Sequence, residues 1–449
     1  MTAVHIRTYG CQMNERDSEA AAALLGEHNY AIVPKEEDAD VIVVNTCSVR
    51  EKAENKAIGK LLELVNAKRD SRPELVVGAI GCMVQRLGPE LLRRVPGIDF
   101  GLGTHRLTGL PRVVRAVRAG KGPILDIGSE HQTDEMPAGH REGKHSAFVN
   151  ILLGCNRRCS YCIVPQVRGP ELSRPPREIM DEIAPIALSG VREVTLLGQS
   201  VMSYGRVRDV WTGEQPSTLG LTEPFPRLLE FLAGVPGLAR IRFTSGHPSG
   251  CTPELARAMA GLSPVCEHLH LPMQSGSDRI LGLMRRGYSA DDYRRAVACI
   301  RSALPELAIT TDIIVGFPSE TARDFDDTRA LMEEIGFDNA FIFKYSPRPG
   351  TPAAEMRDNV DPAEKLRRNH ALLADQDSRG RRLNAEYVGR VVEVLVDGVS
   401  KRNATRWSGR TRTNKIVVFD NSGGNASEGD LVPITILSAQ AQTLYGAAL

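Results

Sequence analysis

Residues 154–162 read GCNRRCSYC. The stretch holds Cys155, Cys159 and Cys162 in a CxxxCxxC spacing, with no His, Asp or Glu inside it. Soft thiolates select zinc, Cu(I) or iron–sulfur clusters. A structural zinc site is closed by four ligands, and an electron-transfer cluster likewise takes four cysteines. Three thiolates leave one metal corner open, and an open corner is where a substrate or cofactor binds. Arg157 and Arg158 inside the loop suit an anionic cluster, and Tyr161 can cover it on one side.

The stretch directly follows the first of six strand-like runs: 147–153, 192–198, 238–245, 267–272, 307–316 and 339–345. Helical patterns separate them. Six successive βα units predict an incomplete (βα)6 barrel with its site at the carboxyl ends of the strands, and the cysteine loop falls on that rim. The other rim loops carry short polar residues: Gln199 and Ser200 off the second strand, Ser245 and His247 off the third, and Gln274, Ser275 and Ser277 off the fourth. Gly316 and Glu320 follow the fifth strand and Arg348 the sixth. Glycine lets backbone approach a ligand closely, and as a set on one rim these residues favour ligand contact, although each alone reads as a cap or turn residue. His268 and His270 read as packing histidines, and Cys251, Cys266 and Cys299 as buried, inert thiols.

Upstream, VHIRTYG (4–10), DVIVVNT (40–46) and ELVVGAIG (74–81) alternate with helical patterns. The last two runs are near-continuously apolar, as buried parallel strands are. A βαβαβ unit follows, and each strand ends in a cysteine: Cys11, Cys47 and Cys82. In an open parallel sheet the carboxyl ends share one edge, where ligands bind. A second three-thiolate set with an open corner is therefore expected. The acid-free segment 106–121 reads equally as a phosphate-tracking or a solvated helix face, and about 122–144 as a linker.

At the other end, alternating runs separated by Gly and Asn predict a small closed β-barrel of the oligonucleotide-binding kind. Among them lies KRNATRWSGRTRTNK, 401–415, with Lys401, Arg402, Arg406, Arg410, Arg412 and Lys415 around Trp407 and no acid. Basic residues around an aromatic suit phosphate contact with base stacking. This local patch answers a chain of 449 residues whose net charge is only +1. Nine cysteines without a signal peptide argue against a disulfide framework. No apolar run approaches a membrane span, so a cytoplasmic protein without a membrane partner is expected.

The CxxxCxxC stretch resembles the radical S-adenosylmethionine (SAM) signature. The whole chain resembles the methylthiotransferase family of those enzymes, and its wording is closest to the branch acting on N6-isopentenyladenosine in tRNA. The likeness rests on TYGCQMNERDSE, NTCSVREKAENK, GCNRRCSYCIVP, RGPELSRP, VTLLGQ, LPMQSGSDRILGLMRRGY, TDIIVGFPSET and FKYSPRPGTPA. The chain departs from the family pattern at Gln166, Ser200 and Gly246.

The resemblance implies three domains: a methylthiotransferase domain at 1–140, a radical SAM domain at 141–376 and a TRAM-like RNA-binding domain at 380–449. It implies an auxiliary 4Fe–4S cluster on Cys11, Cys47 and Cys82, and a catalytic one on Cys155, Cys159 and Cys162 whose open iron chelates SAM. One SAM would give a methyl group to sulfur held at the auxiliary cluster, and a second would supply the 5′-deoxyadenosyl radical. The product carries C–SCH3 in place of C–H at C2 of an adenine beside the anticodon, in a single-stranded loop where a base can be splayed out. A monomer served by an electron donor such as flavodoxin or ferredoxin is expected. Methylthiolation of threonylcarbamoyl adenosine or of a ribosomal-protein aspartate, a non-catalytic iron–sulfur RNA sensor, and a zinc-bound structural protein stand as alternatives.

Overall fold

The computed structural model describes residues 1–48, 51–128, 139, 144–211, 217–424 and 426–449. The expected linker lies largely outside the described residues. Backbone packing divides the chain into two compact units, Met1–Glu142 with Leu153–Arg157 and Cys162–Leu172, and Gly143–Leu152 with Arg158–Tyr161 and Ser173–Leu449. Cys155 and Cys162 thus group with the first unit and Cys159 with the second.

The first unit is built on six parallel strands: β1 (Thr2–Tyr9), β2 (Tyr30–Ile32), β3 (Val41–Thr46), β4 (Val76–Gly81), β5 (Phe100–Leu102) and β6 (Ile124–Asp126). Their order is β2-β1-β3-β4-β5-β6. β3 and β4 are buried at every position because helices cover both faces. On one face Ala57, Leu61 and Leu64 of α2 (Glu51–Asp70) pack on Ile42, Val44, Val77 and Ala79. On the other, Ala21 and Leu25 of α1 (Gln12–Glu27), with Leu110, Val113 and Val114, pack on Val41, Val43 and Ile80. Each buried Val, Leu or Ile among them is worth about 1.5–3 kcal/mol over its exposed state. Apolar runs locate β1, β3 and β4 in the sequence but not β2, β5 and β6, which at three residues each are too short to carry a period. Segment 106–121 contains the amphipathic helix Leu110–Arg118, with Arg112 exposed on the side away from Val113 and Val114.

The second unit opens with six parallel strands: β7 (Ser146–Asn150), β8 (Glu193–Leu197), β9 (Arg240–Phe243), β10 (His268–His270), β11 (Ala308–Val315) and β12 (Asn339–Lys344). They form two three-stranded sheets in chain order. The Ile241–Val265 bridge and the Gly246 N–H to His270 carbonyl bond, 3.1 Å, join β9 to β10. This is the expected open six-unit barrel, with one helical and apolar core around it.

A closed five-stranded barrel follows: β13 (Val391–Ser400), β14 (Asn403–Thr411), β15 (Ile416–Asp420), β16 (Leu431–Ala439) and β17 (Thr443–Ala448). The basic segment 401–415 is not a connection between strands. It includes all of β14, because pairing with both β13 and β15 claims its backbone hydrogen bonds.

The two barrels of this unit are bolted together at the amino ends of the larger barrel's strands. Arg240 and Arg242, almost fully buried, point their guanidinium groups at the carbonyls of Arg410, Thr411 and Arg412, 2.7–2.8 Å away. Glu193 holds Arg242 at 2.8 Å. Arg412 returns to Glu267 at 2.8 Å, and Lys415 to Asp338 at 2.7 Å. The rim that carries the cysteine loop lies at the opposite ends of the same strands.

Candidate active site

In the first unit the three cysteines meet by register. Tyr9 stands opposite Thr46, and Thr46 opposite Gly81. Cys47 and Cys82 are the next residues after two of these aligned ends, and Cys11 lies two beyond the third. The chain leaves β1 towards β2 and leaves β3 towards β4, on opposite sides. Cys11 and Cys47 therefore flank the topological switch point, where open α/β sheets bind ligands. Gly81, at φ +97°, makes the turn into Cys82, and a Cβ there would lie 2.5 Å from the Asn45 amide oxygen. Glycine alone fits such a turn.

A buried amide network holds this edge. Asn14 accepts from the Cys11 backbone N–H at 3.3 Å and from its thiol at 3.4 Å, and donates to Asn45 at 3.1 Å and to the Thr46 carbonyl at 3.3 Å. Asn45 donates to the Asn14 carbonyl and to the Ser18 hydroxyl, both at 2.9 Å.

The thiols feel one another. A hydrogen bond with Cys47, opposed by burial and helped by the Arg168 charge, brings the Cys11 thiol down to about 6. Its place at the amino end of α1 also favours thiolate. Burial pushes Cys82 up, against the pull of Arg168. Arg168 ends the short helix Val164–Arg168 and bridges Asp17 at 2.6 Å.

The donor chemistry suits an iron–sulfur cube: three thiols at a ligand-binding edge, with thiolate favoured at one of them. Among the described residues no three His, Cys, Asp or Glu side chains converge as ligands of a single ion would. A cube takes each thiolate on a different iron, so its ligands stand apart.

In the second unit Cys159 receives a hydrogen bond from Arg286 Nη1 at 3.2 Å. Arg286 is buried and also donates to the Tyr288 hydroxyl at 3.1 Å. Ser160 pins the loop by donating its backbone N–H to the Met284 carbonyl and its hydroxyl to the Leu283 carbonyl. Tyr161 packs on the cluster of Ile280, Met284, Phe317 and Tyr345.

The rim residues fall into two groups. Gln199, just past β8, has its Oε1 buried with no hydrogen-bond partner in the protein. Such an atom is costly unless a ligand satisfies it. Ser245 and Gln274 hold φ of +58° and +68°. Left-handed backbone in residues other than glycine is strained and clusters at ligand sites. Gly316 makes the same kind of turn at φ +68° after β11.

The remaining rim residues make hydrogen bonds within the protein, although Glu320 Oε1, like Gln199 Oε1, is buried without one. Ser200 is buried, and its carbonyl accepts from Ser203. His247 Nδ1 bonds Ser249 Oγ at 2.9 Å, and its ring meets Tyr288 edge-on. Ser275 is fully buried, bonding Thr328 at 3.2 Å and accepting from the Ser277 N–H. Arg348 reaches Ser346 at 2.9 Å. Glu320 receives the Gly316 N–H and Arg368, both at 2.6 Å.

His268 and His270 share Thr310 at 3.1 and 3.0 Å, and burial followed by the nearby Arg242 pulls His268 well below its ordinary pKa. Burial pushes Cys251 to about 12 and Cys266 to about 11. Cys299 is half-buried rather than buried, because its helix leaves that side towards solvent.

In the C-terminal barrel Lys401 and Arg402 are exposed and Arg406 partly so. Trp407 packs against the barrel core. Arg410 bonds Asn414, while Arg412 and Lys415 are committed to Glu267 and Asp338. Arg168, Asp17, Asn14, Asn45 and Arg286 are site residues that sequence reasoning misses. Their signal is present in NERDSE, NTCSVR, RGPELSRP and LMRRGY, but which side chain reaches a thiol is decided by tertiary folding.

Family models match three segments: the uncharacterized protein family UPF0004 over residues 3–103, the radical SAM superfamily over 149–332 and the TRAM domain over 385–449. The tRNA-2-methylthio-N(6)-dimethylallyladenosine synthase of Moorella thermoacetica is 45% identical over 446 residues, covering 98% of this chain and 97% of that protein. The protein of the same name from Akkermansia muciniphila is 44% identical over 462 residues, covering 99% and 98%. In fold, the chain is similar to the radical S-adenosylmethionine methyltransferase TsrM from Kitasatospora setae, solved with cobalamin and a 4Fe-4S cluster bound. That match has a TM-score of 0.58 at 13% identity and covers 79% of this chain and 77% of that one. With UPF0004, radical SAM and TRAM segments in that order and such identity over the full length, this chain belongs to the tRNA-2-methylthio-N(6)-dimethylallyladenosine synthase family of radical SAM enzymes.

Proposed function

We propose that this chain methylthiolates C2 of N6-dimethylallyladenosine (N6-isopentenyladenosine) in tRNA, beside the anticodon. Its family membership over the full length carries this reading. The bound 4Fe–4S clusters and SAM supply the radical, the methyl group and the sulfur transfer that an unactivated aromatic C–H requires.

The chain's residues do the rest. Residues 1–140 carry the auxiliary site, with Cys11, Cys47 and Cys82 as its ligands and the Asn14–Asn45 network fixing their strand ends. Residues 141–376 carry the radical site, where Cys155, Cys159 and Cys162 are the ligands and Arg286 orients Cys159 by its 3.2 Å hydrogen bond. Gln199, Ser245, Gln274 and Gly316 contact SAM. Ser200, His247, Ser275 and Arg348 support that pocket through the bonds they make around it. Residues 380–449 hold RNA, and the exposed Lys401 and Arg402 with Arg406 bear most of the phosphate contact. Trp407, Arg410, Arg412 and Lys415 shape that surface from their places in the barrel. No helix among the described residues is long and apolar enough to cross a membrane. A cytoplasmic monomer reduced by a flavodoxin or ferredoxin completes the reading.

The test is anaerobic reconstitution with iron and sulfide, then incubation with SAM, a reductant and tRNA carrying the prenylated adenosine, read by mass spectrometry of the nucleosides. One methylthio group should appear on that nucleoside and vanish in Cys159→Ala. SAM cleavage with an unchanged nucleoside would displace the substrate. No SAM cleavage by cluster-loaded protein would leave a non-catalytic iron–sulfur RNA binder.

A further inference from the structure

The Arg168–Asp17 bridge has more in it than folding requires. Both side chains are almost wholly buried, at 7% and 9% exposure, with Nη2 and Oδ2 2.6 Å apart. A buried ion pair is weak as a stabiliser, and a well-packed apolar pair of similar size often serves the fold as well or better. This pair lies among thiols. The Arg168 charge pulls down the thiols of both Cys82 and Cys11. Asp17 belongs to α1, the helix that Cys11 opens. The segment carrying Arg168 is fixed by Ile163 and Val167 packing on Cys82, and by Thr104 donating to the Val167 carbonyl. One positive and one negative charge are thus held at fixed places beside the three-cysteine edge, inside the first unit.

We propose that Arg168 and Asp17, as fixed buried charges, set the reduction potential of the cluster bound at Cys11, Cys47 and Cys82. The proposal rests on the reading that these three cysteines hold a cluster. Taking up an electron makes a thiolate-ligated cluster more negative. A fixed guanidinium in a low-dielectric place stabilises that form and raises the potential, and a fixed carboxylate lowers it. The two residues therefore act in opposite directions on one quantity. A purely structural bridge would respond alike to the loss of either partner.

The experiment uses the full chain with Cys155, Cys159 and Cys162 all replaced by Ala, so that only the auxiliary cluster remains. After anaerobic reconstitution, iron and sulfide are counted and the midpoint potential is read by electron paramagnetic resonance during dithionite titration. Arg168→Gln should shift the potential to more negative values, Asp17→Asn to more positive values, and Arg168→Lys should stay near the parent. Shifts of the same sign in Arg168→Gln and Asp17→Asn, or no shift in either, would overturn the proposal. Where Arg168→Gln does not retain iron, Asp17→Asn decides, and a potential that fails to rise overturns it. A parent chain that binds no iron at all would remove the auxiliary-cluster reading, and this inference with it.

Discussion

At the scale of single residues, the cysteines define the chemistry but their neighbours make it workable. Asn14 is fully buried and saturates four polar groups at once. Asn14→Ala strips Asn45 and the Thr46 carbonyl of a donor. Each unsatisfied buried group costs about 1–3 kcal/mol, so thermal unfolding of the metal-free chain should begin several degrees lower, whereas Asn14→Asp should not reproduce the native network. Arg286 is the corresponding residue of the radical site. Hydrogen bonds to charged groups are worth about 1.5–3 kcal/mol, so Arg286→Met should slow 5′-deoxyadenosine formation roughly tenfold to a hundredfold while the protein still binds tRNA. An unchanged rate would show that Cys159 needs no orienting partner. Cys155, Cys159 and Cys162 are legible in the sequence because their spacing is local, and Cys11, Cys47 and Cys82 because each ends a strand-like apolar run. Arg286, Arg168 and Asp17 are not, because Arg286 meets Cys159 across 127 residues and Arg168 meets Asp17 across 151, and nothing in local spacing encodes that reach.

At the scale of elements, strand ends do the positioning. The three longer strands β1, β3 and β4 and the six barrel strands are legible from apolar runs. The three-residue strands of the first sheet are not, since three residues are too few to carry a period. The basic segment shows a different limit. Composition alone groups Lys401, Arg402, Arg406, Arg410, Arg412 and Lys415 together, yet the fold divides them. Arg412 and Lys415 meet acids at the base of the larger barrel, and the carbonyls of Arg410 to Arg412 accept from the buried Arg240 and Arg242. Breaking a buried pair from one side costs about 3–5 kcal/mol. Arg242→Ala should therefore lower the denaturant midpoint sharply. The triple change of Lys401, Arg402 and Arg406 to Ala should leave stability within about 0.5 kcal/mol. It should instead weaken tRNA binding and flatten the logarithmic salt dependence by roughly 0.7 for each phosphate no longer neutralised. Retained affinity and salt slope in that triple variant would place the RNA elsewhere on the chain.

At the scale of the whole molecule, the same pattern appears twice: three cysteines and a buried arginine nearby, Arg286 donating to Cys159 and Arg168 on the segment packed against Cys82. One set stands at the switch point of a doubly wound sheet, and the other is the loop that follows the first barrel strand. The two sets share no residue, so each should load without the other. The measurement that tests this most directly is iron and acid-labile sulfide per chain after anaerobic reconstitution. It should be made in the wild type, in the Cys11, Cys47 and Cys82 triple Ala variant, and in the Cys155, Cys159 and Cys162 triple Ala variant. Two cubes predict about eight irons and eight sulfides in the wild type and about four of each in either variant, with methylthiolated tRNA formed by the wild type alone. A wild type holding only about four irons, or bound zinc without sulfide, would contradict the account.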